Sequence, residues 1–434
     1  MPADLASPTS RVIAADLVGA VLRRKSALED ASAANAALAA LPVRDRAFVR
    51  LLVATVLRRL GQLDALIAAC LAEKLSSRAA PVGDALRLGL AQLLFLGTPS
   101  HAAVSTSVTL VEALGFPAHK GLVNAVLRRL AREGAGLAAA QDAARLNTPS
   151  WLWNGWCDGY GEEVTRKIAL AHLQEPPLDF TVRGNPEAWR QALDAFVLPT
   201  GTLRRDGGGA VASLPGYDEG VWWVQDAAAA LPVRLLGDIA GHPVIDLCAA
   251  PGGKTAQLTS LGARVTALDR SRRRIARLKD NLARLSLSAE TLVADAESWR
   301  PAEPVPFVLL DAPCTATGAI RRHPDVARLK TPDDVIRLSA LQERLLAAAV
   351  SMLAPGGVLV YCTCSLEPKE GERQVARLLA SGAPVTRRPI AAAEIGGLAE
   401  CLTSEGDLRT LPCHLADRGG LDGFYAARLV RAGR

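Results

Sequence analysis

The sequence contains no Cys-x-x-Cys pair, although eight cysteines are scattered over its 434 residues. Structural zinc sites need closely spaced ligands, and disulfide frameworks are typical of short secreted chains. We therefore expect neither a metal site nor a disulfide framework, and we infer a reducing compartment.

Features of exported and membrane proteins are also missing. The amino terminus lacks the basic stretch followed by an apolar one that would predict a signal peptide. Residues 88–111 carry no formal charge, but Gln92, Pro99 and His101 interrupt them, so a membrane-spanning helix is not expected. These absences predict a soluble, cytoplasmic protein without a membrane partner.

The balance of charge gives only a weak indication of a partner. The chain carries 50 Lys and Arg against 44 Asp and Glu, a net charge of +6. Such an excess attracts polyanions moderately, and a slightly basic enzyme with no nucleic-acid partner fits it equally well. Net charge alone therefore leaves nucleic-acid binding open.

The chain is too long for one core, since cores stop growing at roughly 250–300 residues. Residues 1–145 have apolar residues at helical spacing and predict an all-helical bundle. Residues 146–224 hold six of the seven tryptophans with several prolines and predict a small α/β connector. Its tryptophans either pack between domains or stack on bases. Residues 225–434 form the third predicted domain.

Strand, turn and helix alternate in the third domain. Short apolar runs predict strands at 244–247, 265–268, 292–294, 307–310 and 358–361. Helix-like stretches separate these runs, which predicts a parallel, doubly wound sheet with right-handed crossovers. Such sheets bind ligands beyond the carboxyl ends of their strands, so functional residues are expected there.

The loop after the first of these strands is a candidate cofactor loop. Within residues 248–255, Gly252 and Gly253 let a ligand approach the backbone closely, and the next helix offers free N–H groups. The pattern is neither a Walker A loop nor a G-x-G-x-x-G fingerprint. A phosphate-binding interpretation is therefore weak.

Three acids, Asp269, Asp295 and Asp311, close three strands of this domain. Asp269 suits a pair of ribose hydroxyls, and Asp295 suits an adenine amino group. Each acid alone is more often a helix cap or a solvated residue, but the three together predict a nucleoside-bearing cofactor. Asp269 does not distinguish among NAD, NADP and S-adenosylmethionine.

Two cysteines, Cys314 and Cys364, follow the strands at 307–310 and 358–361. Thiols at the carboxyl ends of two strands in one sheet are expected to point into a single cleft. Hydroxyl residues flank Cys364, which favours a functional thiol, whereas Cys314 fits a buried structural cysteine equally well. We expect Cys362 to point to the opposite face of its strand from Cys364.

Three motifs carry a family resemblance. CAAPGGKT at 248–255, DAPCTATG at 311–318 with RRHPD at 321–325, and TCS at 363–365 resemble the motif set of the RsmB/NOP family of RNA cytosine-C5 methyltransferases. RDRAFVRLLVATVLRR at 44–59 and KGLVNAVLRRL at 120–130 resemble the NusB-like RNA-binding domain of members that act on small-subunit rRNA. The ending DRGGLDGFYAARL, at 417–429, resembles the Sun/Fmu type of this family.

The resemblance implies a multidomain chain: an all-α NusB-like bundle, the connector, and a Rossmann-like class I methyltransferase domain. It implies methylation of cytosine C5 in 16S rRNA, of the cytosine(967) type, by S-adenosyl-L-methionine through a covalent cysteine–C6 adduct. Cys364 would be the nucleophile, Cys314 the thiol that assists release, and Asp311 a group that also reaches the base. The implied cofactor contacts are Cys248, Ala249, Ala250, Pro251, Gly252, Gly253, Lys254, Asp269, Asp295 and Asp311.

Some features depart from this pattern or leave alternatives open. Ala316 stands where many relatives have glycine, and Cys362 adds a thiol beside Cys364. Arg321, Arg322 and His323 either hold phosphates near the target base or form a solvated charged loop. A non-catalytic RNA-binding or ribosome-assembly factor, and an enzyme for another rRNA or tRNA cytosine, are the alternative functions. A monomer with an RNA partner is expected.

Overall fold

The structure is a computed structural model that describes residues 8–207 and 209–433. The helices of these residues are α1 (Pro8–Leu22), α2 (Leu28–Ala34), α3 (Ala36–Ala40), α4 (Val43–Arg58), α5 (Leu60–Ala68), α6 (Ala80–Leu94), α7 (Ser100–Ala113), α8 (Lys120–Ala139), α9 (Ala143–Asn147), α10 (Ser150–Tyr160), α11 (Glu162–Ala171), α12 (Ala227–Arg234), α13 (Gly253–Ser260), α14 (Arg272–Arg284), α15 (Val326–Leu329), α16 (Pro332–Met352) and α17 (Glu372–Ala380). The strands are β1 (Leu178–Val182), β2 (Phe196–Val197), β3 (Leu203–Arg205), β4 (Trp222–Val224), β5 (Pro243–Leu247), β6 (Arg264–Asp269), β7 (Glu290–Val293), β8 (Val305–Asp311), β9 (Leu353–Thr363), β10 (Val385–Arg387), β11 (Leu408–Thr410) and β12 (Phe424–Arg431).

These residues form two compact units. The helical unit contains the described residues up to Glu175 together with Ile320–Lys330, and the sheet unit contains Pro176–Ala319 and the described residues from Thr331 onward. Residues 146–224 therefore divide, because α10 and α11 belong to the helical unit and β1 to β4 to the sheet unit. Within residues 8–207 and 209–433, none of the helices has the length and apolar character that crossing a membrane requires.

The helical unit packs the apolar faces of α1, α4, α6, α7 and α8 into one core. In α8 the buried residues recur at helical spacing, at Val123, Val126, Leu127 and Leu130. Gly89 of α6 permits close packing, since a Cβ there would lie 2.7 Å from Leu127 Cδ1. The predicted all-helical bundle is confirmed.

The segment Ile320–Lys330 belongs to the helical unit, although it follows Cys314 in the sequence. Arg58 Nη2 donates to the carbonyl of Arg321 over 2.9 Å, and Asp325 accepts from the backbone N–H of Leu28 over 2.8 Å. The side chain of Arg321 is only 2% exposed. It is therefore neither part of a solvated loop nor open to a phosphate, and both sequence interpretations are wrong for this residue.

The sheet unit contains an eight-stranded sheet in the order β10-β12-β9-β8-β5-β6-β7, with β11 paired to β12. The five predicted strands correspond to β5 to β9. Where these strands pair with one another, the pairing is parallel. The sheet as a whole is mixed, because β12 runs antiparallel to β9, β10 and β11. The predicted parallel sheet is confirmed for β5 to β9, and the antiparallel strands β10, β11 and β12 extend it.

A second, four-stranded antiparallel sheet in the order β2-β3-β1-β4 belongs to the same unit. Trp222 is fully buried in its core, with its ring centroid 4.7 Å from that of Phe180. A ring in this position is not available to stack on a base.

Asp179 and Arg204 form a fully buried pair with two 2.7 Å hydrogen bonds, and Arg204 also donates to the carbonyl of Gly420.

Removing Arg204 is expected to destabilise the sheet unit strongly. Arg204→Met leaves the Asp179 carboxylate buried without its partner, which costs about 3–5 kcal/mol, whereas adding Asp179→Leu removes the stranded charge and recovers most of the loss. Denaturant unfolding of the three proteins measures the difference. A single variant as stable as the double variant would contradict this account of the pair.

Candidate active site

The loop that joins β5 to α13 has a conformation that requires glycine at one position. Gly252 has φ +103°, and a Cβ there would lie 2.9 Å from Leu278 Cγ. Cys248 also has a positive φ, +62°, at the end of β5. Below the loop, Thr255 donates to the fully buried Asp246 over 2.6 Å, and burial raises the pKa of Asp246 to about 7.

Lys254, in the first turn of α13, forms an ion pair with Asp311 at the end of β8. Its Nζ lies 2.8 Å from Asp311 Oδ2 and 4.9 Å from the centre of the Phe424 ring. Burial opposes the charge on Lys254, but the Asp311 carboxylate outweighs it and raises the pKa of the ammonium. Lys254 therefore stays protonated beside these groups.

A cavity of about 500 Å³ lies beyond the carboxyl ends of β5, β6 and β7. Its lining includes Cys248, Asp269, Asp295 and Pro313, so three strand-end positions and the residue before Cys314 meet there. Burial raises the pKa of the Cys248 thiol above its ordinary value, and nearby carboxylates add to the effect. Cys248 therefore lines the cavity as a neutral thiol.

Asp269 is presented to this cavity by a tight turn. Its Oδ1 accepts from the backbone N–H of Ser271 over 2.9 Å, and its Oδ2 lies 3.0 Å from Arg274 Nη1. Asp295 is held in a similar turn, where it accepts from the N–H of Glu297 over 2.9 Å. The two oriented carboxylates of this cavity fit a ligand that carries hydroxyl and amino donors.

The other predicted cofactor residues occupy different surroundings. Ala249 and Ala250 are buried in the core, and Lys254 is paired with Asp311. Pro251, Gly252 and Gly253 line a neighbouring groove rather than the cavity.

Two further arginines of the cavity wall, Arg270 and Arg274, were not among the predicted cofactor contacts. Arg274 also donates to the carbonyl of Ala250, within the β5–α13 loop. The sequence contains no motif that marks these two side chains, because the turn after β6 alone decides where they point.

Cys314 and Cys364 come together, as expected from their positions after β8 and β9. Their Sγ atoms are 3.5 Å apart, and both residues are half-buried. The hydrogen bond with Cys364 and burial raise the pKa of the Cys314 thiol well above its ordinary value. The neutral thiol is therefore the favoured form of Cys314.

The prediction that Cys362 and Cys364 face opposite sides of the strand is wrong. Cys362 is buried in the same core cluster against which Cys364 packs, and its Sγ lies 3.6 Å from Asp311 Oδ1. Thr363 separates the two cysteines, and alternate residues of a strand share a face. Burial and the Asp311 carboxylate raise the pKa of the Cys362 thiol, so this extra sulfur is held as a neutral thiol.

A buried carboxylate, Glu370, joins the two cysteine loops. It accepts from the backbone N–H of Thr315 over 3.0 Å, from the Thr315 hydroxyl, and from the Ser365 hydroxyl over 2.6 Å. Gln342 Nε2 lies 3.2 Å from Glu370 and donates to the carbonyl of Pro313 over 2.8 Å. Thr315 and Ser365 directly follow Cys314 and Cys364, so this network sets the separation of the two sulfurs.

The loop of Cys314 also turns tightly at two later positions. Ala316 has φ +58°, the left-handed conformation that glycine adopts without strain, so the departure at this position leaves the turn intact. Gly318 has no room for a side chain, because a Cβ there would lie 1.8 Å from the carbonyl oxygen of Gly423. The 311–318 motif thus packs against the 417–429 motif near the end of the chain.

Two family models match the chain. The model described as "16S rRNA methyltransferase RsmB/F" matches residues 234–430, and the model "NusB family" matches residues 8–132. The chain is 36% identical to the ribosomal RNA small subunit methyltransferase B of Pseudomonas putida, over 97% of this chain and 98% of that protein. It is 37% identical to the protein of the same name from Klebsiella pneumoniae, over 78% and 82% of the two chains.

Solved structures share the fold. The crystal structure of PH0851 superposes with a TM-score of 0.76 at 23% identity and covers 98% of both chains. A methyltransferase homolog protein from Pyrococcus horikoshii superposes with a TM-score of 0.54 at 25% identity, over 67% of this chain and 97% of that one. The fold of this chain therefore occurs in proteins of known structure.

Glu370→Gln is expected to separate the two sulfurs. The amide cannot accept all the hydrogen bonds from Thr315 and Ser365, so the loops relax and stability falls by about 1–3 kcal/mol. The rate at which a thiol oxidant joins Cys314 to Cys364 should fall at least about tenfold, because such reactions depend steeply on proximity. Peptide mapping of the disulfide measures this rate.

The control for this test is Asp407→Asn. Asp407 is another buried carboxylate of the sheet unit, and it accepts from the Tyr425 hydroxyl over 2.6 Å. This variant should lose stability but keep the wild-type rate of disulfide formation. An unchanged rate in Glu370→Gln would show that other contacts hold the loops.

Proposed function

Because the chain belongs to the RsmB/F family of 16S rRNA methyltransferases, we propose that it methylates C5 of a cytosine in 16S rRNA through a transient bond between Cys364 and C6. The observation that carries this proposal is the pair of thiols 3.5 Å apart next to an acid-lined cavity. A methyltransferase that acted on an amine or a hydroxyl would have no use for two converging sulfurs.

The chemistry explains why a thiolate is needed. C5 of cytosine is a poor nucleophile, and covalent catalysis divides its methylation into easier steps. The Cys364 thiolate bonds to C6, and the electron pair of the C5–C6 double bond moves to C5. C5 then takes the methyl group, while the bond from that group to its sulfonium breaks and the electron pair stays on the departing sulfur.

The surroundings of Cys364 support its role as the nucleophile. The protonated Lys254 is close enough to Cys364 for the two groups to interact. The raised pKa of Cys314 keeps a proton on the neighbouring sulfur, and this proton can be donated to Cys364 in a hydrogen bond.

Release requires a second proton transfer. After methylation, the proton on C5 must leave, so that its electron pair re-forms the C5–C6 double bond and expels Cys364 as a thiolate. We assign the C5 proton to the Cys314 sulfur, which must first release its own proton to solvent and which lies beside the sulfur that departs. Asp311, which pairs with Lys254, is assigned to the N3 edge of the base. There it would take up a proton on substrate binding and donate a hydrogen bond to N3 as negative charge builds during the reaction.

The cavity residues are proposed to hold the methyl donor. S-adenosylmethionine, when bound there, supplies an electrophilic methyl group on a sulfonium. Asp269 would accept from the ribose hydroxyls and Asp295 from the adenine amino group, with Cys248 as part of the wall. Of the remaining predicted contacts, Lys254 and Asp311 would form the side of the site nearest the two cysteines, whereas Pro251, Gly252 and Gly253 line the neighbouring groove.

The RNA must expose the face of the base. C6 is accessible to a thiolate only when the cytosine is unstacked, which predicts a loop or a base flipped from its helix. The NusB-like part of the chain is proposed to bind the same RNA.

Three further properties are proposed: the modified nucleotide is cytosine(967), the protein is a monomer, and it is located in the cytoplasm. Another rRNA or tRNA cytosine is the alternative target.

The modified nucleotide can be identified by sequencing bisulfite-treated 16S rRNA from cells that lack this gene. Cells that carry the wild-type chain should show one bisulfite-resistant cytosine, and cells that carry Cys364→Ala should lose it, because the nucleophile is missing. Equal protein levels, checked by immunoblotting, are the control. Full resistance in the Cys364→Ala cells would remove this sulfur from the mechanism.

A further inference from the structure

Helix α14, which directly follows the turn of Asp269, is strongly basic. Of its thirteen residues, six are Arg or Lys and one is acidic. Three apolar residues of α14, Ile275, Leu278 and Leu282, are buried against the sheet unit. We propose that exposed arginines of α14 bind phosphates of the RNA substrate, and that the groove beside the helix holds the RNA strand. This inference rests on the proposed function.

The arginine side chains of α14 lie on two different parts of the surface. Arg274 points to the cofactor cavity, where it pairs with Asp269. Arg273 and Arg277 are exposed and lie one helical turn apart, and Arg277 lines the groove. One arginine of the helix, Arg274, therefore lines the cavity. Two others, Arg273 and Arg277, form an exposed stripe on the helix surface.

The groove has a volume of about 750 Å³, and both of its walls belong to the sheet unit. Arg284 forms part of its wall, because its guanidinium lies 4.3 Å from the centre of the Tyr217 ring and donates to the Tyr217 carbonyl. Val224, which is 45% exposed, adds an apolar surface. Cations on a rim and apolar surface below suit the backbone and the riboses of a single strand.

The groove borders the cofactor loop. Pro251, Gly252 and Gly253 line it, and the next residue, Lys254, pairs with Asp311 and interacts with Cys364. An RNA strand in the groove would therefore pass the loop whose other end borders the cofactor cavity. This position suits the nucleotides that flank a target base.

Acidic residues near the groove limit where phosphates can lie. Asp280 is exposed on α14, and Asp218 and Glu219 are exposed beside Tyr217. The net charge of the helix is nevertheless +5, from six basic residues and one acidic residue. Phosphate contacts are therefore assigned to the Arg273 and Arg277 stripe rather than to the groove as a whole.

The test compares two paired variants of the full chain. Arg273→Gln with Arg277→Gln removes the stripe, and Arg373→Gln with Arg377→Gln removes a matched, exposed pair one turn apart on α17. The probe is an in vitro transcript of 16S rRNA. The measurements are the Kd for this RNA across a range of salt concentrations, the kcat at saturating RNA, and the Kd for S-adenosylmethionine.

The stripe variant should bind the transcript about tenfold more weakly, and the slope of log Kd against log salt should flatten by about 1 to 2, since two phosphate contacts are lost. Its kcat and its affinity for S-adenosylmethionine should match those of the wild type. The α17 variant should behave as the wild type in every measurement.

Other outcomes overturn one proposal or the other. Wild-type RNA affinity and salt slope in the stripe variant, or equal weakening in the α17 variant, would refute the α14 surface and leave the proposed function standing. A loss of S-adenosylmethionine affinity in the stripe variant would mean that α14 acts through the cofactor cavity. A wild-type chain that methylates no RNA would overturn the proposed function itself.

Discussion

The geometry of the candidate site depends on one buried carboxylate. Glu370 accepts hydrogen bonds from residues that directly follow each of the two cysteines, so a single group sets the distance between Cys314 and Cys364. Burial raises the pKa of Glu370, and the bonds from Ser365 and Thr315 partly offset this effect. A charge held in this way is costly to leave without partners, which makes the two loops mutually dependent.

Much of the sheet that carries the site could be predicted, because buried parallel strands are short apolar runs with loop residues at their ends. These runs place Asp269, Asp311, Cys314 and Cys364 at one edge. The antiparallel strands β10, β11 and β12 gave no such alternation with helices, and they complete the sheet beside β9. The prediction for Cys362 failed because residues two apart on a strand, such as Cys362 and Cys364, share a face of the sheet.

The remaining features depend on contacts between residues far apart in sequence. Glu370 and Gln342 are isolated polar residues within a turn and a helix, and no periodic pattern distinguishes them from exposed neighbours. Arg321 belongs to a run of charged residues that suggests a surface loop, but it is buried within the helical unit. Pattern and composition describe local structure, whereas these side chains obtain their roles only from the folded chain.

The most direct test of the central claim is to stop the reaction before release. Cys314→Ala should accumulate a protein–RNA adduct that survives denaturant when 16S rRNA and S-adenosylmethionine are both present, and mass spectrometry should locate the bond on Cys364. Double replacement of Cys314 and Cys364 by alanine should form no adduct. Undiminished turnover by Cys314→Ala without an adduct, or an adduct on any other residue, would contradict the assignment of the two sulfurs.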